Sequence, residues 1–204
     1  KKKDIVIYDC VNSYELSKLL EHKNFLILSS RRTKIKNLYF SKKIILFILK
    51  NFFKRKIKLN YMIALIEEIN PKLVITGIDN SVEFSKLARY YYKKKIFVAV
   101  QAANRGDIFG NYGNLNKNFF IPFYFCFSEF DIKLFKKKKI KVKNYLIAGS
   151  LKNSFCKLKY NNLKREKYDI CFVSKVLWKP NSDKKTFLYE NITKSLKFLA
   201  KYAR

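Results

Sequence analysis

Several residues able to hold or move a proton stand directly behind apolar runs. Asp9 follows Ile5-Val6-Ile7-Tyr8, Asp79 and Asn80 follow Leu73-Val74-Ile75-Thr76-Gly77-Ile78, and Gln101 follows Ile96-Phe97-Val98-Ala99-Val100. A carboxylate so placed can accept a proton or orient a hydroxyl. A glutamine there needs a partner or a ligand, because burying an unpaired amide is costly. Arg31, Arg32 and Arg105 stand in comparable places, and the guanidinium fork suits phosphate or carboxylate. Asn12, Ser13, Asn104, Gly149 and Ser150 complete the polar set. Two local readings stay open. Asp79 or Asn80 either caps the helix that starts near Ser81 or faces a ligand, and Asn12 or Ser13 caps the helix expected at 13–22.

Other chemistries lack their residues. There is no GxGxxG, GxxxxGK[ST] or GxSxG. His22 is the single histidine, at a helix end, so a Ser-His-Asp site is not expected. Cys10, Cys126, Cys156 and Cys171 form no CxxC pair, and no metal site is expected. Cys10, Cys126 and Cys171 lie in or beside apolar runs and read as buried thiols of a reducing, cytoplasmic compartment.

The elements that would position these residues are short and continuous in apolar character. They are residues 4–8, 25–28, 73–76, 96–100, 123–127, 145–148 and 170–173. Continuous rather than alternating runs suit strands covered on both faces, as in a parallel sheet. Amphipathic patterns at 13–22, 61–69 and 81–92 lie between them. Strand–helix alternation predicts an α/β, Rossmann-like doubly wound parallel sheet. In such a sheet the loops after the strands gather at one edge, where ligands bind. Residues 1–149 read as this domain, 150–167 as a polar, basic interdomain linker, and 168–204 as the start of a second domain cut short. The final LKFLAKYAR stops inside a helical pattern, which reads as a piece of a longer protein.

The net charge of +30 comes from 45 basic and 15 acidic residues. The basic residues are mostly Lys, and Asn, Phe and Tyr are also abundant, a pattern that A/T-rich codons produce without a polyanionic partner. Nucleic-acid readers favour Arg and carry stacking aromatics or a recognition helix, and no such pattern is present. The charge is uneven: residues 22–66 and 132–165 each contain 12 Lys or Arg and no acid. The longest apolar stretch, IILFILKNFF at 44–53, is too short to span a bilayer. Core or interdomain packing is expected for it. A helix lying in a membrane interface is the other reading.

Four segments, DIVIYD, YMIALIEEINPKLVITGIDNSVEFSKL, VAVQAANRGD and YLIAGSLKNS, occur in that order. Together they resemble bacterial surface carbohydrate biosynthesis proteins, glycosyltransferases of GT-B-like fold associated with O-antigen and capsule. The resemblance covers positions 3–175, and PKLVITGIDNSVEF is its most specific part. The chain departs from the family pattern after Gln101, where Ala102-Ala103-Asn104 replaces a Gln-Asn-Gly turn. The resemblance implies the N-terminal, acceptor-side half of a two-domain fold, truncated in the second domain. It also implies a hinge near Gly149–Asn153 and no turnover by this chain alone. The implied reaction moves a sugar from a nucleotide-sugar substrate to a glycan or lipid-linked acceptor, with no metal or other cofactor. Asp79 and then Asp9 are the implied catalytic residues. Asn80, Gln101, Asn104, Arg105, Gly149 and Ser150 are the implied substrate-binding residues. A cytoplasmic site at the inner face of the plasma membrane, with peripheral contact to anionic lipid and no nucleic-acid partner, goes with this reading. The alternative is a catalytically inactive, basic scaffold at the membrane surface of the same machinery.

Overall fold

A computed structural model describes residues 2–29, 38–103 and 119–160, together with Lys194, Lys197 and Phe198. The chain divides after Asn161 into two units, and the sheet belongs wholly to the first. The predicted strand at 170–173 and the predicted second domain lie outside the described residues, apart from those three positions.

Six strands form one parallel sheet: β1 (Ile5–Ile7), β2 (Phe25–Ile27), β3 (Leu73–Thr76), β4 (Ile96–Val100), β5 (Phe120–Cys126) and β6 (Lys141–Ile147). Their order is β2-β1-β3-β4-β5-β6, every pair parallel. This is an α/β Rossmann-like fold. The six described apolar runs all become strands. Each is short and β-branched or aromatic, and pairing in a covered sheet satisfies its backbone groups.

Among the described residues, five helices lie between the strands, α1 (Tyr14–Leu19), α2 (Lys42–Lys50), α3 (Ile57–Ile69), α4 (Val82–Tyr90) and α5 (Glu129–Lys137), and a sixth, α6 (Leu151–Tyr160), follows β6. The 3.6-residue period of α4 turns Phe84, Leu87 and Ala88 inward and Glu83, Lys86 and Arg89 outward. Ser81 caps it: its Oγ accepts the Phe84 N–H at 3.2 Å. The cap expected from Asp79 or Asn80 is thus supplied by the next residue. At α1, Ser13 stands at the cap position but its hydroxyl donates to the Cys10 carbonyl at 2.9 Å. Asn70 ends α3 in the left-handed conformation.

One sheet face carries the main core. Val6, Tyr8, Val74, Phe97, Ala99 and Tyr124 meet Ile63, Ile66, Phe84, Leu87, Tyr91 and Phe135 there, all buried. On the opposite side α1 and α6 stand over Ile75, Val100 and Phe125, with an apolar cavity of about 240 Å³ between them. Residues 151–160, which open the predicted linker, are helical.

Candidate functional site

The strand order reverses at β1: β2 lies on one side of it and β3 on the other. Loops at the carboxyl ends therefore diverge there, and a crevice is expected. The β1–α1 and β3–α4 loops instead touch closely. The Asn12 Nδ2 donates to the Gly77 carbonyl at 3.3 Å. A Cβ on Gly77 would lie 2.3 Å from the Asn12 backbone oxygen, so only glycine lets the two backbones approach. Asn12 itself has φ of 54°.

Beside this contact opens a small polar cleft of about 80 Å³. Asn12, Glu15, Gly77, Gln101, Ser150 and Lys152 supply its polar lining, and Leu16, Val100, Ala102 and Leu151 its apolar part. The structure thus brings Gln101 and Ser150 together, with Asn12 beside them. It adds Glu15 and Lys152, which the sequence reading passed over. Glu15 lies in the first turn of α1 and Lys152 in the first turn of α6. Their signal in the sequence was their place within a turn of predicted strand ends, but their mutual approach depends on the sheet order.

The two candidate catalytic carboxylates do not line this cleft. Asp79 is buried, and its Oδ2 accepts the Tyr124 hydroxyl at 2.8 Å. Tyr124 comes from β5 and stacks on Phe135 of α5 at 4.9 Å. The bond ties the end of β3 to a strand two places away. Asp9 is also buried, and its Oδ1 accepts the Val11 N–H at 2.8 Å, which turns the chain into the β1–α1 loop. Asn80 is exposed beside Asp79 and is not part of the cleft lining.

Gln101 is held at both ends. Its Nε2 donates to Asp131 Oδ1 at 2.8 Å and to the Ala103 carbonyl at 3.1 Å. Its Oε1 accepts the Phe127 N–H at 2.9 Å. Asp131 also accepts the Ser128 hydroxyl at 2.8 Å. The partner that a buried glutamine requires is therefore another buried side chain, 30 residues further on. Nearby Cys126 is buried, and burial first, with the Asp131 charge second, pushes its thiol up, away from the reactive thiolate. Ser150 accepts the Asn153 N–H at 3.3 Å and so opens α6. Gly149 before it takes φ of +68°, a left-handed turn that glycine adopts without strain, and it lines the apolar cavity instead. Asn104, Arg105, Arg31 and Arg32 lie outside the described residues. Among the described residues no three His, Cys, Asp or Glu side chains gather as a metal site, and no helix is long and apolar enough to cross a membrane.

Compared with protein-family models, curated proteins and solved structures, the chain gives no match.

Proposed function

We propose that the chain supplies the acceptor-side domain of a glycosyltransferase in bacterial surface polysaccharide biosynthesis. The observation that carries this reading is the polar cleft at the carboxyl edge of the parallel sheet, lined by Asn12, Glu15, Gln101, Ser150 and Lys152. The carboxylate, amide, hydroxyl and ammonium groups lining this cleft are the kinds of donor and acceptor that sugar hydroxyls use. The sequence resemblance at 71–84 and 145–154 adds the family.

In this reading Glu15, the one carboxylate lining the cleft among the described residues, takes the proton of an acceptor hydroxyl. The freed oxygen bonds to the anomeric carbon of the donor sugar as the bond to the nucleotide phosphate oxygen breaks. A nucleoside diphosphate leaves with that electron pair. Lys152 and Asn12 orient the acceptor. Asp79, held by Tyr124, fixes the loop behind the cleft, and Gln101, held by Asp131, fixes the cleft lining, so both act through positioning.

A thermal-shift screen of the protein against nucleotide sugars and oligosaccharide acceptors tests this. A ligand at 100 times its dissociation constant adds about 2.7 kcal/mol of stability. The expected outcome is a shift with an acceptor glycan that Glu15→Gln and Lys152→Ala each reduce while leaving the unliganded melting temperature unchanged. Cooperative melting with no shift from any glycan or nucleotide sugar overturns the reading.

A further inference from the structure

The helix α2 has two apolar faces, and among the described residues only one packs against the core. Ile44 is buried, and Phe47 and Ile48 pack against the core, which are the i, i+3, i+4 positions of an inner stripe. The outer positions Ile45, Leu46 and Leu49 face solvent, Leu46 and Leu49 at 65% and 64% exposure. The turn that follows projects Phe52 and Phe53 edge to face at 5.2 Å, with Phe53 98% exposed. A helix apolar all round belongs inside a protein or against something apolar. Packing in the core, one of the burials expected from the sequence, accounts for the inner stripe.

The projection is built. Asn60, fully buried in α3, donates from its Nδ2 to the Asn51 carbonyl at 2.7 Å and to the Arg55 carbonyl at 3.3 Å. The Asn51 Nδ2 donates back to the Phe47 carbonyl at 2.9 Å. Arg55 lies over the Tyr90 ring at 5.0 Å. These contacts clamp both ends of the turn that carries the two phenylalanines.

The surroundings choose the occupant. Lys42, Lys43, Lys50, Lys54 and Lys56 are exposed around the apolar face, and residues 22–66 hold no acid. A second copy of the chain seated here would bring two such lysine rings together, which like-charge repulsion opposes. Nine residues of helix span only about 14 Å, too short to cross a bilayer but suited to lying in its surface. We infer that α2 and its Phe52–Phe53 turn dock on an anionic lipid bilayer, the outer apolar side chains entering the interface and the lysines meeting the lipid phosphates. This docking names the surface for the lipid contact that goes with the transferase reading, yet it stands or falls separately from it, since vesicle binding and glycan-induced stabilisation are read independently.

The test is flotation of the full chain with phosphatidylcholine vesicles, with and without phosphatidylglycerol. The expected result is flotation with the anionic vesicles, weakened by salt. Leu49→Asp and Phe53→Asp should each lower partitioning about tenfold or more, because a charge replaces an inserted apolar group. Both positions are exposed, so circular dichroism and melting should match the parent. Phe53→Trp should blue-shift its emission on adding anionic vesicles. Absence of flotation overturns the inference, as does flotation that Leu49→Asp leaves unchanged. A dimer of the parent that Phe53→Asp dissolves would assign the face to a second copy and overturn it equally.

Discussion

The two faces of the sheet are built to different standards. On one, Tyr8, Phe84, Phe97 and Tyr91 form a continuous aromatic chain, with ring centroids 5.4, 5.4 and 5.8 Å apart in succession. Helices α3, α4 and α5 press on it, and it carries the main core. On the other face α1 has only six residues, and a cavity of about 240 Å³ remains beside Leu16, Leu19 and Leu151. The polar cleft opens next to this thinner layer, lined by residues at the starts of α1 and α6. The difference teaches that stability is concentrated on one side of the sheet. The candidate chemistry sits where packing is loose enough to leave room for a ligand.

The largest test of that contrast is Phe84→Ala. Phe84 is buried and touches two aromatic neighbours, Tyr8 and Phe97, that cannot collapse into its space. A loss of about 4 kcal/mol is expected in urea or thermal unfolding. Leu16→Ala, on the thinner face, should cost about 2 kcal/mol, the low end for such truncations, because Leu16 already borders empty volume. Equal losses at the two positions would break the comparison. Tyr124→Phe should cost about 1.5 kcal/mol, since it removes one hydroxyl donor from buried Asp79 while keeping the ring on Phe135. If it instead leaves stability untouched, the Asp79–Tyr124 bond is not what holds the end of β3.

Much of this architecture is legible in the sequence, for a physical reason. Buried parallel strands need continuous apolar runs, so 4–8, 25–28, 73–76 and 96–100 mark themselves. The β6 strand begins at Lys141, earlier than its apolar run, because an edge strand tolerates lysine where a central strand does not. The α5 and α6 helices escape notice because charge dilutes their apolar period. Within the site, the buried polar residues are conspicuous but their partners are not. Asp79 meets Tyr124 across 45 residues and Gln101 meets Asp131 across 30, pairings that follow from strand order and not from local pattern. Polar residues after strands therefore signal a loop at the sheet edge equally well whether they face a ligand or a neighbouring loop. The apolar run at 44–53 was ambiguous for a related reason: periodicity reports that a side chain is apolar, not whether anything covers it.

The margin of the main core offers the smallest effect and a cleaner discrimination. Tyr145 on β6 is half-buried and stands edge-on to Tyr124 at 6.2 Å. Burial, helped by Cys126, pushes its hydroxyl from 10.0 up to about 12. Tyr91, deeper in the same core and donating to the Ile63 carbonyl at 2.9 Å, is pushed up as well, by burial first and then by Glu67. A raised folded-state value means that the folded chain keeps its proton where the unfolded chain has lost it. The stabilisation is thus complete below about pH 10 and is lost as pH climbs through 12. Lysines also discharge in this range, which relieves the repulsion of a +30 chain and acts in the opposite direction. The comparison that isolates the tyrosine is urea unfolding of the parent and Tyr145→Phe on either side of this window. The parent should lose stability more steeply than the variant, by a modest margin because the ring is partly solvated. Parallel curves would assign the alkaline loss to the sealed interior around Tyr91, and would leave the β6 margin contributing nothing to it.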